Sequence, residues 1–483
     1  MKRYNKVFIL LAVVVVIGIA TFALTQYENE QEKIKHTDEV ILQIPSDSVT
    51  ALSWEYEKDS SLAFHKGENG WLYDEDEAFP VSEEKVMKIL DHFEDFAATF
   101  IIEDVTDYSQ YGMDDPECTL TITTAEKTYN IKLGAFSKMD EQRYVDIGDG
   151  NVYLVGEDPM DYVDSNLSSM ILHDDTPGFE TMVDITFAGS ENYTITRMDE
   201  SSNTYNSEDD IYFVERGGKN VPLKTANVRT FLNTITSLDL LNYATYNATA
   251  EDLAAYGLDT PELSVTVNYT YTDDEDAVIS DTCVIHLGRN AEEQEAYDKA
   301  VAEGDATSSV TKYVRIGDSK IIYTVDDTDY AILTEAAYDD LRHKEVIWAD
   351  FETVTQIDVT LEGTQYSLLS TVDEDDARTW YYPEIPEETD TEEDENKNKI
   401  DLADIQAALK ALTASSFTNE APTGKEEIRL TVHLDNENFP AVEIVLYRYD
   451  GEYCLAVVDG ESVSLVERSL VIDLIESVNA IVL

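Results

Sequence analysis

Two nearly identical segments constrain the fold of this chain more than any other feature of its sequence. Residues 111–116 read YGMDDP, and residues 256–261 read YGLDTP. In both, a glycine follows a short stretch that is compatible with a helix, and glycine adopts the left-handed conformation of a helix C-cap without a steric clash. The proline four residues later prevents the helix from continuing. Alternating strand patterns follow at once, CTLTITT and LSVTVNYTYT. The sequence therefore predicts the same local unit twice: a short helix, a glycine cap and entry into a strand.

These two segments are interpreted as capping devices and not as ligand sites. Thr106 with Asp107 opens the first helix and Thr249 opens the second, because Thr and Asp are preferred N-caps. The residues to which we assign this structural role are Tyr111, Gly112, Asp114 and Pro116 in the first copy, and Tyr256, Gly257, Asp259 and Pro261 in the second.

An aromatic strand followed by an amphipathic helix occurs three times. The strands lie around Trp71, Tyr212 and Trp380. Apolar residues at helical spacing follow each strand and predict a helix packed on a sheet. Their apolar faces are Val86, Ile89, Leu90 and Phe93; Val228, Phe231, Leu232 and Ile235; and Ile405, Ala408, Leu409 and Leu412, with Ser82, Thr225 and Asp401 as the predicted N-caps.

A strand pair and a closing helix complete each copy. The pairs turn at Gly-Asp-Gly, Gly-Asp-Ser and Asp-Gly-Glu, which are typical hairpin turn residues. The chain is therefore predicted to be an α+β protein with three tandem repeats of an antiparallel sheet plus amphipathic helices. We place the repeats at 40–175, 177–347 and 350–483, and each is long enough to bury a core of its own.

Three stretches depart from the repeat pattern. Residues 290–310 are an insertion in the second repeat, predicted to be a solvated helical excursion. Residues 383–399 are acidic and of low complexity, which predicts a disordered loop in the third repeat. The third repeat also lacks the Tyr-Gly segment and has SSFTNEAPTGKEE in its place.

The N-terminus predicts a single membrane span. Val7–Leu24 is an uncharged apolar stretch of 18 residues, preceded by Lys2, Arg3 and Lys6. This length suits a bilayer core, and the preceding cations favour a cytoplasmic N-terminus with the bulk of the chain outside the cytoplasm. We assign residues 1–27 to the anchor; a cleaved signal peptide is the alternative, and it gives the same extracytoplasmic location.

The charge balance excludes one class of partner. The chain has 100 Asp and Glu against 33 Lys and Arg, a formal net charge of −67 at pH 7. Nucleic-acid binding requires clustered positive charge that releases counterions, so we expect no nucleic-acid partner.

No catalytic, cofactor or metal motif stands out in the sequence. The acidic turns at 74–77, 273–276 and 373–376 lack the spacing of a calcium loop, and no zinc, Walker or nucleophile-elbow motif occurs. The three cysteines, Cys118, Cys283 and Cys454, lie far apart and are interpreted as buried small hydrophobic residues, although a Cys118–Cys283 bridge stays open. The histidines are scattered: His36, His65, His92, His173, His286, His343 and His433. We therefore expect no cofactor and no enzymatic activity.

The ordered combination of these motifs resembles a bacterial family of envelope proteins, domain of unknown function 4340. The resemblance covers the first two repeats, and the third is a degenerate match. Members of that family often occur beside gliding-motility-type ABC transporter subunits, so the resemblance implies an accessory role near a transport or surface-assembly complex. The residues that carry it are Trp71, Tyr111, Gly112, Asp114, Pro116, Gly134, Tyr144, Val145 and Gly148, followed by Tyr256, Gly257, Leu258, Asp259, Pro261, Gly288, Tyr313, Val314, Gly317, Leu341 and Arg342.

These features favour a membrane-anchored extracytoplasmic scaffold or binding module that partners an envelope complex. Two alternatives stay open. One is an exported hydrolase acting on glycans through a carboxylate pair, since paired carboxylates are abundant in this chain. The other is a surface adhesin or solute receptor, because Tyr is frequent at 29 residues and suits recognition surfaces.

Overall fold

The computed structural model describes most of the chain after residue 32. The described residues are 13–17, 19–21, 33–56, 60–163, 166–199, 203–206, 209–304, 309–373, 377–382 and 398–483. Most of the predicted span Val7–Leu24 lies outside them; residues 13–17 and 19–21 are helical and exposed. Within the described part of the chain, no helix has both the length and the apolar character needed to cross a membrane. The predicted disordered loop 383–399 also lies outside the described residues, except for its last two positions.

The described chain is α+β and contains three nine-stranded antiparallel sheets. Sheet 1 consists of β1 (Lys33–His36), β3 (Val49–Tyr56), β4 (Ser60–Gly67), β5 (Gly70–Tyr73), β7 (Phe100–Glu103), β8 (Cys118–Thr124), β9 (Thr128–Ser137), β10 (Gln142–Asp146) and β11 (Val152–Val155). Strands β2 (Val40–Leu42) and β6 (Phe96–Ala97) form a separate pair. Sheet 2 consists of β12 (Thr181–Ala188), β13 (Asn192–Arg197), β14 (Tyr212–Arg216), β15 (Lys219–Pro222), β16 (Tyr243–Thr245), β17 (Leu263–Thr272), β18 (Val278–Arg289), β19 (Lys312–Ile316) and β20 (Ile322–Val325). Sheet 3 consists of β21 (Val354–Leu361), β22 (Thr364–Val372), β23 (Arg378–Tyr381), β24 (Lys399–Ile400), β25 (Ala414–Phe417), β26 (Glu426–Leu434), β27 (Ala441–Arg448), β28 (Tyr453–Val458) and β29 (Glu461–Glu467).

Helices fill the connections between these strands. The α-helices among the described residues after residue 32 are α1 (Glu83–Asp91), α2 (Met160–Val163), α3 (Thr225–Thr236), α4 (Ala250–Ala255), α5 (Ala291–Ala302), α6 (Asp327–Thr334), α7 (Tyr338–Leu341), α8 (Ala403–Ala411) and α9 (Arg468–Val482). Short 3-10 helices lie at Ser46–Ser48, Tyr108–Tyr111, Leu167–Met170 and Phe351–Thr353.

Eight strands follow the same order in the three sheets. Sheet 1 runs β5-β4-β3-β8-β9-β10-β11-β7-β1, sheet 2 runs β15-β14-β13-β12-β17-β18-β19-β20-β16, and sheet 3 runs β24-β23-β22-β21-β26-β27-β28-β29-β25. In each sheet the central pair joins β3, β12 or β21 to the strand that follows the Tyr-Gly position, which is β8, β17 or β26. The strands around Trp71, Tyr212 and Trp380 occupy equivalent places in their sheets. The three sheets are thus consistent with three tandem repeats.

The repeats differ at their edges. Sheet 1 gains β1, which lies before residue 40 and pairs with β7, and it lacks a counterpart of β15 and β24. The repeat boundaries at 40–175, 177–347 and 350–483 stay predictions. Two compact units divide the chain: residues 1–175, 240–249 and 320–323 form one, and residues 176–239, 250–319 and 324–483 form the other.

The predicted amphipathic helices bury the predicted faces. Val86, Val228 and Ile405 are each 0% exposed, and the other predicted face residues are buried except Ala408, which is half-buried. Burying large apolar side chains of this kind contributes about 1.5–3 kcal/mol each, before the cost of ordering them. These helices therefore provide the main covering of one sheet face in each repeat.

The predicted helix starts are only partly right. Ser82 caps α1 and accepts from Lys85 N, as predicted. The prediction of Thr225 is wrong, because the N-cap of α3 is Lys224 and the Thr225 hydroxyl instead donates to Asp209 O at 2.6 Å. In the first Tyr-Gly copy the N-cap is Asp107 and not Thr106. The N-cap of α8 is Leu402, although the carboxylate of Asp401 accepts from Ala403 N at 2.9 Å.

Two further predictions concern the insertion and the thiols. The insertion 290–310 contains helix α5, which has no buried residue, in agreement with a solvated excursion. All three cysteines are free thiols and buried, so no Cys118–Cys283 bridge is present.

Candidate functional site

The two Tyr-Gly segments form glycine-capped turns. In the first copy, Gly112 has φ 77° and its N–H donates to Ser109 O at the end of the 3-10 helix. In the second copy, Gly257 has φ 67° after α4, and Leu258 N donates to Leu253 O at 2.7 Å. Both glycines therefore stand where a side chain would strain the backbone.

A second glycine in each repeat lies directly against the cap. A Cβ on Gly134 in β9 would be 2.2 Å from Tyr111 O, and a Cβ on Gly288 in β18 would be 2.6 Å from Tyr256 O. Real Cβ atoms do not approach this closely. The two glycines at the ends of the LG strands are required because the backbone of the cap rests on the backbone of the strand.

The third repeat keeps one half of this contact. The register of β26 with β27 places Tyr447 where Gly134 and Gly288 lie in the other sheets. A Cβ on Gly424, in the segment that replaces the Tyr-Gly element, would be 1.7 Å from Arg448 O. The glycine of the covering segment is thus kept, as at Gly112 against Ala135 and Gly257 against Arg289, while the strand glycine is replaced.

The motif tyrosines join two motifs that are distant in sequence. Tyr111 packs on Tyr144 with ring centroids 4.9 Å apart, and Tyr256 packs on Tyr313 at 4.4 Å. Tyr144 and Tyr313 are the tyrosines of the two YVxIG stretches. Offset aromatic pairs at such distances stabilise by about 0.5–1.5 kcal/mol beyond their burial.

The glutamates that follow the motif prolines form ion pairs. Glu117 accepts from the buried Arg143 at 2.7 Å, and Arg143 also donates to Asp158 and to Gly134 O at 2.6 Å each. Glu262 accepts two bonds from Arg289, at 2.7 and 2.6 Å. The side chains of these two segments therefore contact neighbouring strands of the same protein. Asp114 and Asp259 are exposed beside them.

A cavity of about 480 Å³ in the second compact unit brings several ionisable side chains together. The start of α3, the residues before β14 and the connection after α7 form its wall. The lining residues are Asn206, Asp209, Asp210, Ile211, Lys224, Thr225, Ala226, Arg229, His343, Glu345 and Trp348.

Asp210 is the centre of this site and is 1% exposed. Its carboxylate accepts from Thr204 Oγ1 at 2.7 Å, from His343 Nε2 at 2.8 Å and from Trp348 Nε1 at 2.9 Å. The His343 ring stacks on the Trp348 indole, with centroids 4.1 Å apart and planes 5° apart. Three donors satisfy a buried carboxylate that would otherwise be costly to desolvate.

Glu345 faces the other ring nitrogen. His343 Nδ1 lies 3.8 Å from Glu345 Oε2, and Lys224 Nζ pairs with Glu345 Oε1. The interaction with His343 holds the pKa of Glu345 well below its usual range, against the effect of burial and together with Lys224. Burial lowers the pKa of His343, but its hydrogen bond to Asp210 and the nearby charge of Glu345 outweigh burial and raise that pKa above 6.5. Alternating charges, Lys224, Glu345, His343 and Asp210, therefore run through the site.

The ionisable side chains of this cavity contact one another. His343 is the residue whose ordinary pKa suits proton transfer near neutral pH, yet both of its nitrogens face carboxylates of the same chain. Burial raises the pKa of the thiols, to about 12 for Cys118 and to about 11 for Cys283 and Cys454, which disfavours the nucleophilic thiolate. Among the residues that the structure describes, no three His, Cys, Asp or Glu side chains are grouped to hold a metal ion.

The sequence did not reveal this cluster. Its visible signal is the short connection HKEVIWAD, which carries His343, Glu345 and Trp348 within six residues. Their partner Asp210 lies 133 residues before His343, so the contact depends on the fold of the second unit.

The fold and these packing contacts define a class: an α+β repeat protein built on nine-stranded antiparallel sheets, with glycine-capped segments laid on the first two. The chain belongs to the family described as Domain of unknown function (DUF4340), which matches residues 71–174 and 216–431. The match begins at β5 and reaches into β26 of the third sheet. Searches of curated proteins and of solved structures gave no match.

Proposed function

We propose that this protein is a non-catalytic, membrane-anchored binding module on the extracytoplasmic side, accessory to an envelope complex of the ABC-transporter or surface-assembly type. The observation that carries this proposal is the threefold use of one sheet topology whose shared motif residues are engaged in packing. Repeated units of this kind present side-by-side surfaces to partners more readily than they assemble one reaction centre.

The polar cavity supports a binding role over a catalytic one. Its carboxylates already accept hydrogen bonds from neighbouring side chains, and His343 Nε2 donates to Asp210, while His343 Nδ1 lies 3.8 Å from Glu345 without a hydrogen bond. A general acid or base must reach the proton that it transfers, about 2.6–3.2 Å from a substrate atom. Side chains that are hydrogen-bonded to each other in this way stabilise the unit. The wall of the cavity then remains as a surface that can bind a partner.

The anchor rests on the sequence. Val7–Leu24 is apolar and uncharged, and Lys2, Arg3 and Lys6 precede it. The proposed topology is a cytoplasmic N-terminus, one span and an exported remainder. The family resemblance supports the partner class, since members often occur beside gliding-motility-type ABC transporter subunits.

Two experiments test this function. The full-length chain with a C-terminal tag is purified from membranes in a mild detergent, and transporter or surface-assembly subunits are expected to co-purify. A matched variant, Val14→Asp with Ile17→Asp, is expected to leave the membrane fraction, because aspartate at the centre of a span costs about 2.5–3.5 kcal/mol per residue. Recovery of the chain alone, or a charged variant that stays in the membrane fraction, contradicts the proposal. Release of reducing ends from cell-wall glycan by the purified chain supports the exported hydrolase instead.

A further inference from the structure

A second cavity, in the second compact unit, has aromatic walls. It measures about 380 Å³ and is lined by Pro177, Gly178, Phe179, Glu180, Tyr269 and Tyr271. The Phe179 ring meets Tyr269 edge-on, with centroids 5.4 Å apart and planes 89° apart. Tyr269 and Tyr271 lie nearly parallel, 6.0 Å apart. Three rings thus surround one small space at the end of sheet 2.

The strand register fixes which side chains share this face. Tyr269 is paired with Asp281, and Tyr271 with Ile279, so all four side chains lie on one side of the sheet. The same side is the core face farther along β17, where Val265 and Val267 are buried. Tyr271 is 37% exposed. The aromatic surface therefore continues the core to the solvent-exposed end of the strands.

The charge around this cavity has a single sign. Residues 176–187 and 268–283, which form the strand ends and the hairpin, contain no Lys or Arg. They contain seven carboxylates: Glu180, Asp184, Asp273, Asp274, Glu275, Asp276 and Asp281. Asp281 lies beside the rings and accepts from Tyr269 Oη at 3.2 Å. A cleft with one sign of charge concentrates ions of the opposite sign.

Rings and carboxylates together select a particular kind of cation. The face of a tyrosine ring attracts a cation within about 6 Å of its centroid. The polar groups at the cavity are already paired, because Tyr269 Oη donates to Asp281 and Glu180 accepts from Thr272 N at 2.8 Å. A primary ammonium would bring N–H donors that need acceptors when they are desolvated, whereas a quaternary ammonium has none. The cavity therefore suits a methylated ammonium.

The third repeat shows the same contact made within the chain. Phe179 and Phe351 occupy equivalent positions in their repeats. Each lies three residues before a residue with the same place in the central strand pair: Met182, which pairs with Tyr269, and Val354, which pairs with Leu434. In the third repeat Lys410 Nζ lies 5.6 Å from the Phe351 ring centroid. Among the described residues of the second repeat, no Lys or Arg covers Phe179, Tyr269 or Tyr271; the cations over rings there contact other tyrosines.

We propose that the cavity formed by Phe179, Tyr269 and Tyr271 binds a small, free quaternary ammonium cation of the choline type. The aromatic faces hold the methyl groups, and Asp281 with the acidic hairpin provides the charge. The carboxylates would repel a phosphate, so a free cation binds better than a phosphocholine headgroup. This site is separate from the proposed envelope partnership and does not rest on it.

Ligand-observed proton NMR tests the proposal on the full-length chain in a maltoside detergent. Choline is titrated, with 3,3-dimethyl-1-butanol as its neutral isostere and sodium chloride at matched ionic strength. The methyl signal of choline is expected to shift upfield and broaden saturably, while the isostere binds at least about tenfold more weakly. Equal binding of the isostere, no saturable binding of choline, or tighter binding of phosphocholine than of choline overturns the proposal.

Two variants assign the binding to these residues. Tyr271→Leu keeps an apolar side chain at an exposed position and removes the ring, so affinity for choline is expected to fall about fivefold, the equivalent of about 1 kcal/mol. Asp281→Asn is expected to weaken binding and to reduce its dependence on salt. Tyr449→Leu, at an exposed tyrosine of the third repeat, is the matched control and should bind as the wild type does. Unchanged affinity in both cavity variants, with unchanged thermal unfolding, refutes the assignment.

Discussion

The replacement Gly134→Ala tests the backbone contact that underlies the repeated motif. The added Cβ would lie 2.2 Å from Tyr111 O and 2.8 Å from Met113 Cε. Contacts of a Cβ below 3.0 Å are essentially absent from real structures. Because Gly134 is not among the positive-φ residues, alanine adds no torsional strain, and the whole effect comes from the clash.

The magnitude follows from two opposing effects. Removing a glycine from the unfolded chain stabilises by about 0.4–1 kcal/mol where alanine fits. Overpacking costs about 1–3 kcal/mol and occasionally more, and the carbonyl of Tyr111 belongs to a backbone that a buried ring and a glycine cap hold in place. Taking the upper end of the overpacking cost, we expect a net loss of about 2 kcal/mol, which for a unit of this size lowers the unfolding midpoint by about 4–8 °C.

Differential scanning calorimetry of the full chain measures this change, and hydrogen exchange of peptides over 108–137 localises it. Gly156→Ala is the matched control, because its Cβ would meet only Thr99 Cγ2 at an ordinary 3.6 Å. If Gly134→Ala unfolds at the same temperature as Gly156→Ala, the backbone contact does not limit stability and the reasoning is refuted.

Three further predictions concern the polar cavity and the thiols. Asp210→Asn should destabilise the second unit by about 3 kcal/mol, since it leaves a buried imidazole and indole without their charged acceptor, and calorimetry should show no such loss for the exposed control Asp274→Asn. Burial lowers the pKa of His343, but its hydrogen bond to Asp210 and the nearby charge of Glu345 raise it above 6.5 overall; this stabilisation is complete below pH 6.5 and is lost as the pH rises through the folded pKa, so urea unfolding should show a loss of stability above pH 6.5 that His343→Gln removes. Alkylation by iodoacetamide at pH 8, followed by mass spectrometry, should be slow in the native chain and fast in urea, and modification at equal rates would contradict the burial of Cys118, Cys283 and Cys454.

The sequence did not predict how the segment that replaces the Tyr-Gly element packs on the sheet of the third repeat. The absence of a Tyr-Gly segment there was plain, and it suggested a degenerate copy. The structure instead shows Gly424 resting on Arg448, as Gly112 rests on Ala135 and Gly257 on Arg289, so the covering segment keeps its glycine without the motif around it. A glycine indicates close approach only when its neighbour is known, and the neighbour belongs to a strand more than twenty residues away.

The sequence by itself determined the elements of this protein that depend on local physics. Alternation with period two, apolar spacing near 3.6 and glycine after a short helix each act within a few residues, so the three sheets, the buried faces of α1, α3 and α8 and the glycine caps were predictable. The tertiary structure decided what depends on pairing across the chain. Only the fold brings Asp210 to His343, sets Tyr269 beside Phe179 and places Asp281 where it accepts a hydrogen bond from Tyr269. Such contacts are set by strand order and register, which local patterns do not encode.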